Sequence, residues 1–245
     1  MLSRKMSLIA AFGFAGVLVA GGMAIAGTPF GGDDAGTIPS DAPKGPVTKC
    51  EGTVGKGVAK LVGAIVKCHA GQVSGKLADA TAEDSCETTA ETKFEATKTT
   101  GCTACTNLAT IAAAVEGLVD GNNNKVYCSA GTPFGGDDAG NIPTDAPKGP
   151  VTKCDGVVAK AVAKLVTAVN KCHAGRATGK FPDDTSEDGC ESAALTKFNA
   201  TKTTGCDPCT NLSSIGAFVV STDDGANGLV YCGSPSGAFL SNPSF

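Results

Sequence analysis

The stretch CEGTVGKGVAKLVGAIVKC occupies residues 50–68, and its counterpart CDGVVAKAVAKLVTAVNKC occupies residues 154–172. In both stretches, apolar residues and the two cysteines recur at spacings of three and four, which places them on one face of a helix. We therefore predict a first helix from about Val47 to His69, and an equivalent helix in the second stretch. Each helix would carry a cysteine near either end of its buried face.

These stretches belong to a longer repeat that runs through most of the chain. Cys50 recurs as Cys154, an offset of 104 residues, and the same offset relates every other cysteine of the two copies without an insertion. Repetition at a fixed offset indicates two tandem modules of the same fold. The paired cysteines are Cys50 and Cys154, Cys68 and Cys172, Cys86 and Cys190, Cys102 and Cys206, Cys105 and Cys209, and Cys128 and Cys232.

Each copy also contains signals for two further helices. Thr81 and Thr185 precede acidic residues, a pattern typical of a capped helix N-terminus. Gly101 would end this second helix, Asp120-Gly121 would end a third, and residues 126–128 would form a short extended piece. The sequence thus predicts an all-α, disulfide-rich fold with about three helices in each of two small modules.

The N-terminus has the features of a removable signal peptide. Arg4 and Lys5 form a positive region, residues 8–19 are apolar, and Ala24-Ile25-Ala26 provides a cleavage pattern. An uncleaved membrane anchor is the alternative, because the apolar run is just long enough to span a bilayer. We expect an exported protein, located in the periplasm, at the cell surface or outside the cell, with no membrane span after cleavage.

The predicted organisation follows from the repeat and from this leader. Gly/Pro-rich segments precede both cysteine modules and are nearly identical in sequence. The divisions are residues 1–26 (signal peptide), 27–49 (Gly/Pro-rich segment), 50–130 (first module), 131–153 (Gly/Pro-rich segment), 154–233 (second module) and 234–245 (tail).

The Gly/Pro-rich segments have the composition of linkers but contain apolar residues. Phe30 and Ile38 recur as Phe134 and Ile142, and a solvated linker does not need them. We predict that the segment docks on a module with Phe30 as its anchor. A free spacer that is identical only because the duplication is recent is the alternative.

Twelve cysteines, an even number, favour disulfides in an exported protein. Antiparallel packing of the first two helices would bring particular cysteines together at each end of the pair. For the first copy we predict that Cys68 pairs with Cys86 and that Cys50 pairs with either Cys102 or Cys105. The cysteine of the CxxC motif that does not pair with Cys50 would pair with Cys128, and equivalent pairings are expected in the second copy.

Two CxxC motifs and two histidines are the candidates for chemistry. Cys102 and Cys105, with Cys206 and Cys209, could exchange disulfides. They follow a predicted helix, not the strand that usually precedes a redox motif, so structural disulfides are favoured. The only histidines, His69 and His173, are weak ligand candidates, and an interaction with the last carbonyl groups of the helix is the favoured interpretation.

Acidic residues give no convincing site in the sequence. Asp33-Asp34 and Asp137-Asp138 could bind a cation weakly, but they lie in Gly-rich loops, where such pairs are usually solvated. Asp120, Asn122 and Asn124 resemble the start of a calcium-binding loop, but the later positions do not fit, so a polar turn is expected. We therefore assign no catalytic residue, metal or cofactor from the sequence.

The charge balance bears on the class of partner. Two of the 20 basic residues lie in the leader, so 18 remain against 24 acidic residues, and Trp is absent. This composition argues against a nucleic-acid groove. We expect a non-enzymatic structural or interaction protein whose partner is an unknown protein, a surface ligand or a second copy. The alternative is an extracytoplasmic redox or metal-linked protein that uses the CxxC motifs and the histidines.

Overall fold

A computed structural model describes residues 27–103 and 105–232. The predicted signal peptide and the predicted tail lie outside the described residues. The described chain is mostly helical and contains six disulfides. No helix in this part of the chain combines the length and the apolar character needed to cross a membrane.

The elements of the second copy repeat those of the first in the same order. We call α1–α3 the first helical unit, α4–α6 the second helical unit, β1–β2 the first hairpin and β3–β4 the second hairpin. Their bounds are β1 Thr28–Gly31, β2 Asp34–Ile38, α1 Pro46–Val73, α2 Ala80–Glu95, α3 Leu108–Gly121, β3 Gly131–Gly135, β4 Asp138–Pro143, α4 Pro150–Ala177, α5 Asp184–Asn199 and α6 Leu212–Ala226.

The two hairpins make the all-α prediction too narrow. Each is antiparallel and lies in the Gly/Pro-rich segment that precedes a helical unit. Gly31 and Gly32 connect the first pair of strands with φ angles of +102° and +56°, which residues with a Cβ rarely adopt. The short extended piece expected at residues 126–128 is not a strand. A single 3-10 turn, Asn123–Lys125, precedes it.

An aspartate outside the helix caps each long helix. Asp41 accepts hydrogen bonds from the backbone N–H groups of Val47 (2.8 Å) and Thr48 (3.0 Å) at the start of α1. Asp145 does the same for α4. These contacts satisfy N–H groups that have no partner within the helix, and they fix the direction in which the hairpin segment joins the helix.

The start and end of the second helix differ from prediction. Asp79 caps α2 by accepting from the N–H of Ala82, and Asp183 caps α5 in the same way. Thr81, which the sequence suggested as the cap, lies inside the helix. The carboxylate of Asp79, two residues earlier, accepts this bond, so the helix starts sooner, and α2 also ends before Gly101, at Glu95.

The two helical units share a core. The helices α1 and α4 pack against each other, and each also packs against the two shorter helices of its own unit. Val54, Ile65, Val158 and Val169 are fully buried within one continuous apolar cluster. The units therefore form one body in the structure and not two separate cores.

Each hairpin docks on the helical unit of the other copy. Phe30 of the first hairpin is buried against Tyr231 and the ring of His173, which belong to the second copy. Phe134 of the second hairpin packs in the same way on Tyr127 and His69. The predicted anchor is thus confirmed, and the structure shows that the anchoring surface is exchanged between the copies.

Close backbone contact explains the glycines within the hairpins. The N–H of Thr37 donates to the carbonyl oxygen of Tyr231 at 3.0 Å. At Gly36, beside this bond, a Cβ atom would lie 2.6 Å from the same oxygen, and the φ angle is +97°. Only glycine suits this position, because it needs both the unusual backbone angle and the space.

All twelve cysteines form disulfides in the described chain. Cys68–Cys86 and Cys172–Cys190 are confirmed as predicted. Of the two partners left open for the first cysteine of each copy, the structure shows the first member of the CxxC motif, in Cys50–Cys102 and Cys154–Cys206.

The prediction of a third disulfide within each copy is wrong. Cys105 pairs with Cys232, and Cys128 pairs with Cys209, so both bonds join the two copies. The shared core brings the end of each helical unit next to the CxxC segment of the other. These two bonds therefore lock the exchanged arrangement covalently.

We predict that cutting the chain between the units does not separate them. A specific protease site inserted between the exposed residues Pro147 and Lys148 would, after cleavage, leave two fragments joined by two disulfides. Under denaturing conditions the fragments should run together on a gel without reductant and separate when it is added. Separation without reductant would mean that Cys105 and Cys128 pair within their own copy.

We also predict that Phe30→Ala and Phe134→Ala each lower the free energy of unfolding by about 3 kcal/mol, because each removes a buried aromatic ring. Urea denaturation monitored by circular dichroism measures this change. Val157→Ala is the control, since Val157 is 45% exposed and its loss should cost less than about 0.5 kcal/mol. An unchanged midpoint for both Phe variants would contradict the docking.

Candidate metal centres

Four carboxylates converge on one imidazole in the first helical unit. The Nε2 atom of His69 lies 2.8 Å from Asp138 Oδ1, 3.1 Å from Glu87 Oε1, 3.4 Å from Asp120 Oδ1 and 3.6 Å from Glu83 Oε1. All five side chains are at most 3% exposed. We call this set the first centre.

The second helical unit repeats the arrangement at the equivalent positions. The Nε2 atom of His173 lies 3.0 Å from Asp34 Oδ1, 3.0 Å from Glu191 Oε1, 3.3 Å from Asp224 Oδ1 and 3.9 Å from Glu187 Oε1. These side chains are at most 7% exposed. We call this set the second centre.

Several elements build each centre. In the first centre, His69 comes from the end of α1, Glu83 and Glu87 from one face of α2, and Asp120 from the last turn of α3. The fifth group, Asp138, starts β4 of the second hairpin. In the second centre the fifth group is Asp34 of the first hairpin, so the centre is completed by the other copy.

The close atom pairs of the centres are not hydrogen bonds. Neither His69 Nε2 nor His173 Nε2 has a hydrogen-bond partner, although carboxylate oxygens lie within 2.8 to 3.1 Å of both. Both oxygens of Glu83 and both oxygens of Asp120 are likewise unpartnered and buried. Buried polar atoms normally have partners, so these unpartnered atoms indicate room for a shared ligand.

Electrostatics in the centres favour protons or a cation. Burial, and then the neighbouring Glu87, raise the pKa of Glu83 to about 10. Burial opposes protonation of His69, but Asp120, Asp138 and Glu87 outweigh it and raise its pKa to about 11. In the second centre, burial and then Asp34 raise the pKa of Glu187 to about 10. Four buried carboxylates therefore need positive charge beside them.

The spacing within each centre suits six-coordinate metal binding. Ligands at about 2.1 Å from a metal ion lie about 3 Å from each adjacent ligand in an octahedral arrangement. The observed Nε2-to-oxygen distances run from 2.8 to 3.6 Å in the first centre and from 3.0 to 3.9 Å in the second. Ligand atoms of His69, Glu83, Glu87 and Asp138 all lie within 4.8 Å of one another, and so do those of Asp34, His173, Glu191 and Asp224. These four side chains in each centre could hold one ion, and Asp120 and Glu187 lie at the edge of the two sets.

Several residues that the sequence singled out occupy these centres. His69 and His173, considered weak ligands, lie at the middle of a carboxylate shell and not against helix-end carbonyl groups. Asp34 and Asp138 were expected to be solvated, yet docking of the hairpins buries both side chains. Asp120 belongs to a centre as well, because α3, which carries it, packs against α1.

The CxxC cysteines lie outside the centres. Cys102 is bonded to Cys50 and Cys105 to Cys232, so the two cysteines of the motif are not bonded to each other. Cys206 and Cys209 likewise have separate partners, Cys154 and Cys128. All four act as structural bridges in the structure.

The sequence analysis missed the glutamates of α2 and α5. Glu83 was interpreted as a first-turn acid, and Glu87 was not considered. Both are in phase with Ala90 and Phe94, the buried face of α2, and the second copy repeats the pattern with Glu187, Glu191, Ala194 and Phe198. Two acids on an apolar helix face, present in both copies, were the available signal.

Searches against protein-family models, curated proteins and solved structures find no match to this chain. The geometry of the two centres is therefore the basis for inferring a function.

We predict that Glu83→Gln stabilises the metal-free protein at alkaline pH. The folded protein keeps a proton on Glu83 up to a pKa of about 10, whereas an unfolded glutamate releases it near about 4.3. The stability of the metal-free wild type should therefore fall as pH rises between these values. The variant removes this titration, because a glutamine side chain stays neutral.

Thermal melts in a strong chelator test this expectation. Glu83→Gln should melt a few degrees above wild type at pH 8, since about 1 kcal/mol moves the midpoint by a few degrees in a protein of this size. The two proteins should melt together at pH 4. A variant that melts well below wild type at pH 8 would show that an ionised Glu83 stabilises His69 directly.

Proposed function

We propose that this chain is an exported metal-binding protein whose two buried centres each hold a divalent cation. The observation that carries the proposal is the convergence of four carboxylates on the unpartnered Nε2 atom of a buried histidine, repeated in both units. A chance surface cluster of acids would be solvated. Here one histidine, two glutamates and two aspartates meet twice in the interior, where unbalanced charge is most costly.

The ligand set indicates the class of metal. Carboxylates suit hard cations such as Mn²⁺, and imidazole suits Fe²⁺ and Zn²⁺. Four oxygens with one nitrogen and no thiolate favour Mn²⁺ or Fe²⁺ over soft ions such as Cu⁺. All the cysteines of the described chain are in disulfides, so none supplies a thiolate.

Burial favours binding and storage over catalysis. The side chains around His69 are at most 3% exposed, and Phe134 of the second hairpin packs beside the imidazole ring. The docked hairpin thus covers the centre on that side. The non-enzymatic structural or interaction role expected from the sequence stays a prediction alongside metal binding.

The hairpins give metal binding a structural consequence. Asp34 and Asp138 belong to the hairpins, whereas their fellow ligands lie on the helices of the other copy. A bound ion would therefore fasten each hairpin to its helical unit. The disulfides, and the predicted signal peptide, support export to an oxidising compartment, where this arrangement could form.

Metal binding can be measured on protein that has been produced in an oxidising compartment and stripped with a chelator. Mn²⁺ is added back, and bound metal is counted by mass spectrometry and titrated against a chelating dye. We expect at least one tightly bound ion in each centre. His173→Ala should abolish binding at the second centre or weaken it by at least about 100-fold, because it removes a direct ligand.

Glu51→Gln is the matched control. Glu51 is a buried acid, 1% exposed, with an unpartnered oxygen, but it lies outside both centres. This variant should bind as much metal as wild type. Equal losses from the His173 and Glu51 variants, or no retained metal in wild type under any of Mn²⁺, Fe²⁺ and Zn²⁺, would overturn the proposal.

A further inference from the structure

The first centre adjoins a second group of carboxylates. Oxygens of Glu87, Glu116 and Asp120 all lie within 4.8 Å of one another. Glu87 and Asp120 also belong to the first centre, so the two groups share two side chains. The shared carboxylates each have two oxygens, and such groups can bridge two metal ions.

The second helical unit lacks an equivalent of the group formed by Glu87, Glu116 and Asp120, which we call the extension of the first centre. The residue equivalent to Glu116, which is 104 positions later, is Val220, and the residue equivalent to the nearby Glu91 is Leu195. No corresponding acidic group is found there among the described residues. The two units, otherwise matched in their five core ligands, differ at the position where a further cation would bind.

The polar atoms of the extension point to a missing ligand. Asp120 is 2% exposed, and neither of its oxygens has a hydrogen-bond partner. Glu87 is equally buried, and its Oε1 atom is unpartnered. A single ion bound at His69 would satisfy one oxygen of each carboxylate. Glu87 Oε1 is the oxygen that faces His69, so the second oxygen of Asp120 is the unpartnered atom that remains, and with Glu116 it is available for a second ion.

The number of negative charges around His69 also favours a second cation. Glu83, Glu87, Glu116, Asp120 and Asp138 surround one imidazole, and Glu91 adds negative charge beside Glu116. One divalent ion cannot balance five carboxylates, whereas two divalent ions come close to doing so. In the second centre four carboxylates surround the imidazole, and Val220 adds no charge. The half-buried Asp223 lies nearby, but the side-chain amide of Asn170 donates to both of its oxygens.

We propose that the first centre is dinuclear and the second mononuclear, so that the chain binds three divalent cations. The added position has only oxygen ligands, from Glu87, Glu116 and Asp120, and suits a hard ion such as Mn²⁺. Bridging by Glu87 and Asp120 would hold the two ions about 3.5 to 4 Å apart. This inference rests on the proposed metal-binding function and extends it.

Mn²⁺ stoichiometry and electron paramagnetic resonance together test the proposal. Wild type should bind three Mn²⁺ ions and show a spin-coupled signal from the pair, in addition to the six-line signal of an isolated ion. Glu116→Val introduces the residue that the second unit already has, so the fold should tolerate it. That variant should bind two ions and lose the coupled signal.

Glu95→Asn is the matched control. It also replaces an acid with the residue of the second copy, but Glu95 is exposed on α2 and outside the group. It should retain three ions and the coupled signal. Two ions in wild type with no coupling would overturn the dinuclear centre while leaving the proposed function intact. No tightly bound ion in wild type would overturn both.

Discussion

The exchange of hairpins between the two copies is the contact on which the rest of the structure depends. Phe30 and Phe134 each fill a pocket beside a tyrosine and a histidine of the other copy's helical unit. This docking delivers Asp34 and Asp138 to the two centres. The bonds Cys105–Cys232 and Cys128–Cys209 then make the exchange permanent. Without it, each histidine would lose the aspartate nearest to it and the aromatic ring that packs beside it.

Electrostatics favour a cation in each centre over hydrogen bonds among its own side chains. Carboxylates buried side by side repel, and burial raises the pKa of Glu83 and Glu187 to about 10. Protons can balance that charge, but they leave the oxygens without good geometry for hydrogen bonds. A metal ion satisfies several lone pairs at once and supplies the same charge. The centres therefore resemble sites built for an ion more than a network of ion pairs.

Duplication followed by limited divergence accounts for the difference between the units. The Gly/Pro-rich segments are nearly identical, and their docking onto backbone atoms leaves little room for change. At Gly36, for example, any side chain would meet the carbonyl group of Tyr231. The helices tolerate more variation, and Glu116 and Val220 lie at a partly buried position where either residue can be accommodated. Under the proposed function, a change there would alter how many ions a centre takes without replacing any of the residues that the two centres have in common.

The amino-acid sequence by itself determined the repeat, the positions of the helices and the local disulfides, such as Cys68–Cys86. These features depend on residues near one another along the chain, and the spacing of apolar residues and cysteines records them directly. Only the tertiary structure decided which copy receives each hairpin and which cysteine Cys105 meets. The two copies have similar sequences, so a hairpin could contact its own copy or the other one through the same residue types. The sequence therefore does not distinguish the two arrangements. The centres were hidden for a related reason: Glu83, Glu87 and Asp138 meet His69 only after distant segments have packed together.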